Sequence, residues 1–418
     1  MRGALLEHRD YDHLPYAYMR VHHPDALVRI LEDPAVVAVY EIRAVKPSTA
    51  ESLPAIHQPE SVRYDAFQGQ GTAVVVLDTG VNFTQPEFNS CTAVGVPAGC
   101  RVVFAQDFAP NDNALDDHGH GTNVAAIVAQ TAPGTDIIAL DVFRFVDCNG
   151  DGIPDCHQAF SPDIMAAINW VIANQAQFNI VAMNLSLGGP DIHGNGYTPA
   201  TCPGDFTTAF QNTRAAGVWP IAAAGNEGFA NALDWPACEP DAIAVGAVYD
   251  GNLDFDVPYL VPPYTDSAPQ TQYQVTCFSN SHPAVAILAP GAKISAGGIE
   301  MYGTSQAAPH VAGATAIVSA VNPNLQSNAV HTALLVSQTF STDAKSGVTT
   351  PVLDLRASVL DASPHTAAVE AVMDEYYSTV NMTQLLDAVG YMHEVNNLTA
   401  VRSRALAPLV LIAIGPLL

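Results

Sequence analysis

Three short segments carry residue types that could act together as a nucleophile and its activating base. Asp78 closes the apolar run AVVVLD just before Thr79-Gly80. Functional groups of open α/β sheets gather at the carboxyl ends of strands, although an Asp at such a place can also be a plain turn residue or helix cap. His120 lies in DDHGHGTNVAAIVA, where Gly119 and Gly121 permit close backbone approach and Val124, Ile127 and Val128 begin a helical periodicity. An imidazole at a helix start is a candidate general base. Metal ligation by His118 and His120 is disfavoured, because an i,i+2 pair on a glycine-rich turn lacks the i,i+4 face of a zinc-binding helix. Ser305, in GTSQAAPHVAGA, stands among small residues at the start of another helix. That position exposes its hydroxyl toward the positive end of the helix dipole, and taken alone it could also be an N-cap serine.

Taken together, LDTGV around Asp78, HGHGT around His120 and GTSQAAPHVAG around Ser305 closely resemble the three signatures of the subtilase family, in that family's Asp, His, Ser order. SLGGP at Ser186–Pro190 resembles the strand that binds substrate backbone, and AAAGNEG at Ala222–Gly228 resembles the oxyanion-hole segment. The resemblance covers roughly residues 69 to 360. It implies that Ser305 is the nucleophile, that His120 takes its proton and later protonates the leaving amine, that Asp78 orients the imidazolium, and that Asn226 donates to the oxyanion. The implied activity is a serine endopeptidase acting on protein or peptide substrates through an acyl-enzyme, with no cofactor required for the chemistry. Asn123 stands where a second histidine usually follows HGT, and Gln306 where methionine usually follows the nucleophile. Neither position donates a catalytic group.

The same resemblance implies a substrate site formed by Ser186, Leu187, Gly188 and Gly189 on one side and Ala222, Ala223 and Ala224 on the other. The family's pockets often accept bulky apolar groups. Aligning WPA at Trp235–Ala237 with the family's pocket segment places Asp234 near the pocket floor, where a carboxylate favours Lys or Arg. A register shift of one residue would leave Asp234 a solvated loop acid.

The elements that must hold these residues read as buried strands alternating with helices: Ala73–Asp78, Ile137–Phe143, Ile180–Leu187, Trp219–Ala224 and Ala242–Val248. Continuous apolar strands of this kind predict a parallel sheet covered on both faces. The expected fold class is α/β, a three-layer αβα subtilisin-like domain with a mainly parallel central sheet. Ser161 and Pro162 predict a cap and first-turn proline before a helix whose Ile164, Ile168, Val171 and Ile172 share a face. The run after Ser305 predicts a long buried helix, and residues 327–337 a shorter one.

Upstream, Leu14–Val21 and Val36–Ile42 read as strands, with a helical turn or two between Asp25 and Pro34. Residues 46–68, with Pro47, Pro54 and Pro59, read as a linker where a processing cut could fall. This N-terminal part resembles the tail half of the family's inhibitory pro-segment, which implies a partial α+β unit acting as an intramolecular inhibitor. The expected division is 1–58 pro-segment and linker, 59–362 peptidase domain, and 363–418 a C-terminal extension with a short apolar tail.

Forty-one acidic against fifteen basic residues give a formal charge of −26, which repels phosphate backbones and argues against nucleic-acid partners. A 49% hydrophobic content with 13% charged residues supports a sizeable globular core. Of the seven cysteines, Cys91 with Cys100 and Cys148 with Cys156 form close pairs without a C-x-x-C zinc pattern, which predicts disulfides in an oxidising compartment. Cys202 and Cys238 flank the oxyanion segment and could pair, leaving Cys277. A secreted or extracytoplasmic monomer is expected. Met1–Tyr16 has no apolar signal region, so the natural start is expected upstream. Ala405–Leu418 is too short to cross a bilayer as a helix, and no firm membrane association is expected.

DCNGDGIPDC places oxygen donors at Asp147, Asn149, Asp151 and Asp155, with Gly152 at the sharp turn, a spacing similar to the first nine positions of calcium loops. A structural Ca²⁺ is expected there, clamped by a Cys148–Cys156 bridge, although the distal Glu of a full EF-hand is lacking. An α/β-hydrolase esterase is excluded by the order of the three residues. The remaining alternative is a non-catalytic, calcium-dependent binding protein on the same scaffold, against which the intact triad and Asn226 argue.

Overall fold

The computed structural model describes residues 5–10, 16–21, 36–41, 49–62, 67–110, 114–151, 153–260, 263–364 and 409–414. The chain divides into two compact units, residues 1–46 with 377–418, and residues 47–376.

In the first unit, four strands form one antiparallel sheet in the order Leu5–Asp10, Tyr16–Val21, Leu409–Ile414, Val36–Glu41. Two of the strands match those read near residues 14–21 and 36–42, whereas the helix read between Asp25 and Pro34 lies outside the described residues. The apolar C-terminal run, read as part of a separate extension, supplies an inner strand between Tyr16–Val21 and Val36–Glu41. An apolar run marks strand-forming sequence but carries no label for its pairing partner.

The second unit is built on seven strands: β1 (Ala73–Asp78), β2 (Val102–Asp107), β3 (Asp136–Asp141), β4 (Ile180–Leu185), β5 (Trp219–Ala223), β6 (Ile243–Val248) and β7 (Val285–Pro290). Their order is β7-β6-β5-β4-β1-β3-β2, and every adjacent pair is parallel. The period-2 alternation of side chains divides the interior into two cores. Val74 and Val76 of β1 face a core shared with helix α1 (His120–Thr131) and helix α4 (Thr304–Val321). Ala73, Val75 and Leu77 face a second core with helix α2 (Ser161–Phe178) and helix α3 (Thr207–Ala215). The expected three-layer α/β architecture is therefore present, with β2 and β7 added to the five strands read from sequence. Strand β2 is half exposed along its length, so it lacks the continuous apolar signature that marked the others.

Two local readings change. Helix α2 begins at Ser161 with Phe160 in the N-cap position and no side-chain cap bond, so Ser161 is a first-turn residue and Pro162 lies beside it. The proline-rich segment read as linker is partly helical, at Thr49–Ala55 and Gln58–Ser61, and belongs to the second unit. Ile56 there is fully buried, and the Ser52 hydroxyl meets Nε2 of the buried His310 at 3.1 Å. Pro59 sits in a helical first turn, where its missing N–H costs nothing.

Arg101, just before β2, is the buried cation that closes the carboxyl end of α1. Its Nε donates to Thr135 O at 2.8 Å, Nη1 to Ala129 O at 3.2 Å and Nη2 to Ala132 O at 2.7 Å. Ala129 lies in the last turn of α1, Ala132 is its C-cap and Thr135 stands in the turn beyond, and burial pulls the guanidinium down to about 10. Arg101→Met is expected to destabilise the unit by about 3 kcal/mol through unsatisfied buried carbonyls. The check is urea denaturation in a Ser305→Ala background, in which Arg101→Lys recovers only part of the loss.

Candidate active site

The carboxyl ends of β1, β4 and β5 open onto one cleft. Asp78, the last residue of β1, is completely buried, and its Oδ1 accepts from His120 Nδ1 at 2.7 Å and from the Thr79 N–H at 2.8 Å. Its Oδ2 is buried with no partner among the described residues. Because a carboxylate only accepts, His120 carries its proton on Nδ1 and presents the Nε2 lone pair. Burial opposes a charge on His120, but the Asp78 carboxylate, helped by Asp116, outweighs it and raises the imidazole above its ordinary value.

Glycines make this approach possible. Gly119 precedes α1 at φ 88°, and a Cβ on Gly121 would collide with the carbonyl oxygen of Gly80, in the turn that follows Asp78. Asp116 then ties the helix start in place. It accepts from the N–H groups of His118 at 3.1 Å, Gly119 at 2.6 Å and Thr122 at 2.8 Å, from the Thr79 hydroxyl at 2.9 Å, and from the Thr122 hydroxyl. The sequence reading passed over Asp116, although an acid just ahead of a helix start is a capping signal.

Ser305 occupies the first turn of α4, where helix geometry gives its N–H no acceptor. Its hydroxyl donates to Ser186 O at 3.2 Å, while the Ser186 hydroxyl donates to Ser305 O at 2.7 Å and receives Asn184 Nδ2 at 2.9 Å. The Ser186 side chain therefore holds the Ser305 backbone, a contact that sequence spacing did not reveal. Asn226 Oδ1 accepts the Thr304 N–H at 2.8 Å and the Thr304 hydroxyl at 3.0 Å. Those two donors fix the amide's orientation and leave its Nδ2 hydrogens with no protein acceptor among the described residues. Thr304, immediately before the nucleophile, is thus a second positioning residue that the sequence reading missed.

His120, Ser305 and Asn226 line a pocket of about 260 Å³, together with Ser186, Leu187, Gly188, Ala223 and Asp234. Gly189 lines an adjoining depression with Pro190, Tyr197 and Trp235. Ala222 and Ala224 do not reach the pocket; they are packed in the core shared with α2 and α3, because successive residues at a strand end face opposite ways. The floor is stitched to both walls: Asp234 N donates to Ala224 O at 2.9 Å, Trp235 N to Gly189 O at 3.1 Å, and Gly189 N to Trp235 O at 3.0 Å.

The two departures from the family pattern meet each other. Gln306 Nε2 donates to Asn123 Oδ1 at 3.1 Å, and Asn123 Nδ2 donates to Ala296 O at 3.0 Å and Ile299 O at 2.9 Å, with both side chains buried.

His118 and His157 stack edge to face at 5.0 Å, and neither belongs to a metal-ligand group among the described residues. Each expected calcium donor uses one oxygen to accept a backbone N–H of its own loop. Asp147 Oδ1 accepts from Gly150 N at 2.6 Å, Asn149 Oδ1 from Asp151 N at 2.9 Å, Asp151 Oδ1 from Ile153 N at 2.8 Å and Asp155 Oδ1 from Cys148 N at 2.8 Å. The one convergent group among the described residues is Cys148, Asp155 and Cys156, whose cysteines are bridged to each other. The other disulfides are Cys91–Cys100, as the close spacing suggested, and Cys202–Cys238, the pair that flanks the segment 222–228. Cys277 is unbridged, and burial followed by the neighbouring Asp266 carboxylate pushes its thiol up to about 12.

A sequence profile described as the Subtilase family matches residues 69–358. Subtilisin-like protease 3 of Pseudogymnoascus destructans is 31% identical over 279 residues, covering 63% of this chain and 56% of that protein. An extracellular serine proteinase of Thermus sp. (strain Rt41A) is 29% identical over 326 residues, covering 74% of this chain and 67% of that protein. This chain thus spans little more than half the length of the first relative and two thirds of the second. A crystal structure of a cold adapted subtilisin-like serine proteinase superposes with a TM-score of 0.50 at 26% identity, over 69% of this chain and 90% of that one.

The buried amide pair has a direct test. Asn123→Ala and Gln306→Met are each expected to cost about 1–3 kcal/mol, because each leaves the partner amide unsatisfied. The double variant is expected to lose about 1 kcal/mol less than the sum in urea denaturation of the Ser305→Ala protein, whereas strict additivity would contradict the pairing.

Proposed function

The chain belongs to the subtilase family, and from that premise we propose that it is a serine endopeptidase that cleaves proteins through an acyl-enzyme. The observation that carries the reading is the 2.7 Å bond from His120 Nδ1 to the buried Asp78, which leaves the imidazole's basic nitrogen for a serine in the same pocket. In the first step Ser305 Oγ gives up its bond to Ser186 O, transfers its proton to His120 Nε2 and attacks the scissile carbonyl carbon. The oxyanion that forms accepts from Asn226 Nδ2 and from the Ser305 N–H at the α4 terminus. The imidazolium, stabilised by Asp78, then protonates the leaving amine, and water repeats the sequence to release the acyl group.

Around this core we assign protein or peptide substrates, an extracytoplasmic location, a monomeric state and an N-terminal pro-segment that inhibits the second unit until it is cut. The names of the relatives, one of them an extracellular serine proteinase, support the location, and three disulfides agree with it.

The chemistry requires no cofactor, but we place a structural Ca²⁺ on Asp147, Asn149, Asp151 and Asp155. Oxygen-only donors on a loop clamped by Cys148–Cys156 suit a hard cation, which would neutralise three carboxylates and pin the loop. The carboxylates do not converge as they stand, so cation binding must draw them together.

Casein hydrolysis is expected to fall to background in Ser305→Ala, and kcat to fall about 10²–10³-fold in Asn226→Ala. Because the base must be neutral, kcat/KM is expected to drop as pH falls through a value above the ordinary histidine pKa. In Asp78→Asn the residual activity shows that limb at lower pH, since the group that raises His120 is gone. Chelator is expected to lower Tm by several degrees, in proportion to about 1–2 kcal/mol of lost binding, and Asp151→Ala to remove the response. A Tm indifferent to calcium removes the ion from the proposal and leaves the peptidase intact.

A further inference from the structure

We propose that Glu227 and Asp234 together form a cation-recognition site in the floor of the substrate pocket, selecting a guanidinium or ammonium side chain on the acyl side of the scissile bond. The inference rests on the peptidase reading and names the substrate class for the same pocket. Both residues line the cavity that holds Ser305, and no lysine or arginine does. Asn280 clamps the two acids side by side: its Nδ2 donates to Glu227 Oε2 at 2.8 Å and to Asp234 Oδ1 at 3.2 Å. Glu227 Oε2 also accepts the Asn226 N–H at 2.8 Å, so this carboxylate is coupled to the residue that donates to the oxyanion.

A Cβ added at Gly225 would come within 2.5 Å of Asp234 Cγ, and one added at Gly188 within 3.2 Å of Asp234 Cβ. The two glycines, which line the same cavity as Asp234, thus let the chain pack directly against it. Asp234 is only 4% exposed. Burial first, then the charge and hydrogen bond of Glu227, push its carboxyl up to about 9, so Asp234 holds a proton at neutral pH. An arriving guanidinium takes the place of that proton and bridges both carboxylates, so the site keeps the same net charge. An aromatic side chain offers the floor no charge and no donor, so its binding leaves the proton in place.

The sign of the pH effect follows. Below about 9 each bound cation must expel a proton, so preference for a cationic side chain rises as pH climbs toward 9 and then levels. Other titrating groups near the floor are His118, His120 and His157 across the pocket and Tyr197 beyond Trp235. Their effects common to all substrates cancel in a ratio of kcat/KM values on one enzyme.

The experiment compares peptide anilides that differ only in bearing arginine, its neutral isostere citrulline, or phenylalanine at the residue preceding the cleaved bond. It uses the pro-segment-free protein from pH 6 to 10, with labelling by a fluorophosphonate in parallel. Arginine is expected to exceed citrulline by about 100-fold at pH 9, with the ratio falling toward pH 6. Asp234→Asn and Glu227→Gln are each expected to cut the ratio about tenfold or more. A labelled, active enzyme that prefers phenylalanine, or whose arginine-to-citrulline ratio ignores both pH and Asp234→Asn, overturns the cation site and leaves the peptidase standing. Folded protein that is neither labelled nor active on any of the three overturns both.

Discussion

A carboxylate held wholly out of water at the end of a parallel strand is the constraint around which the active-site end of the second unit is arranged. Burying Asp78 is costly unless the charge is met by donors, and it is met on one oxygen only, by His120 and the Thr79 N–H. The incompletely satisfied charge is the reason an imidazolium beside it is favoured. Delivering the histidine requires that α1 start almost on top of the turn after β1, hence Gly121. Holding it there requires the donors of that helix start to be satisfied, hence Asp116. At the opposite end of α1, Arg101 performs the matching task on the carbonyls.

The nucleophile's side of the cleft is fixed by reciprocity rather than by a single strong contact. Ser186 and Ser305 each donate a hydroxyl to the other's carbonyl, and Thr304 fixes the Asn226 amide with two donors. Each bond contributes modestly, but together they fix three chain segments, from the ends of β4 and β5 and the start of α4, against one another. The same segments line the pocket, so the groups proposed to bind substrate and to stabilise the oxyanion share their supports.

Acidity is used in two ways in this molecule. The 41 acidic residues are balanced by only fifteen lysines and arginines, so the chain carries a large negative charge. Asp78, Asp116 and Asp234 are instead placed beside specific donors inside the active-site end of the sheet, where the surroundings decide whether the group stays charged. Asp78 is kept next to a histidine it can charge, while Asp234 is kept next to another acid and takes up a proton.

Local pattern was enough for much of this. Apolar runs identified five of the seven strands of the central sheet, close spacing identified two disulfides, and three short segments carried the resemblance to the family, because each signal is complete within a short stretch of chain. What the sequence could not express was pairing between distant segments. Asn123 and Gln306 read as two unrelated departures until α1 and α4 are packed together and their amides meet. Alignment put Asp234 near the pocket floor but could not show that Asn280, far along the chain, brings Glu227 beside it. The calcium-like spacing of residues 147–155 specified donors but not their convergence, and the C-terminal apolar run specified a strand but not its neighbours. Propensity and spacing are properties of a segment, whereas burial, proton sharing and strand partnership are properties of the contacts that segments make, and only the tertiary structure decides those.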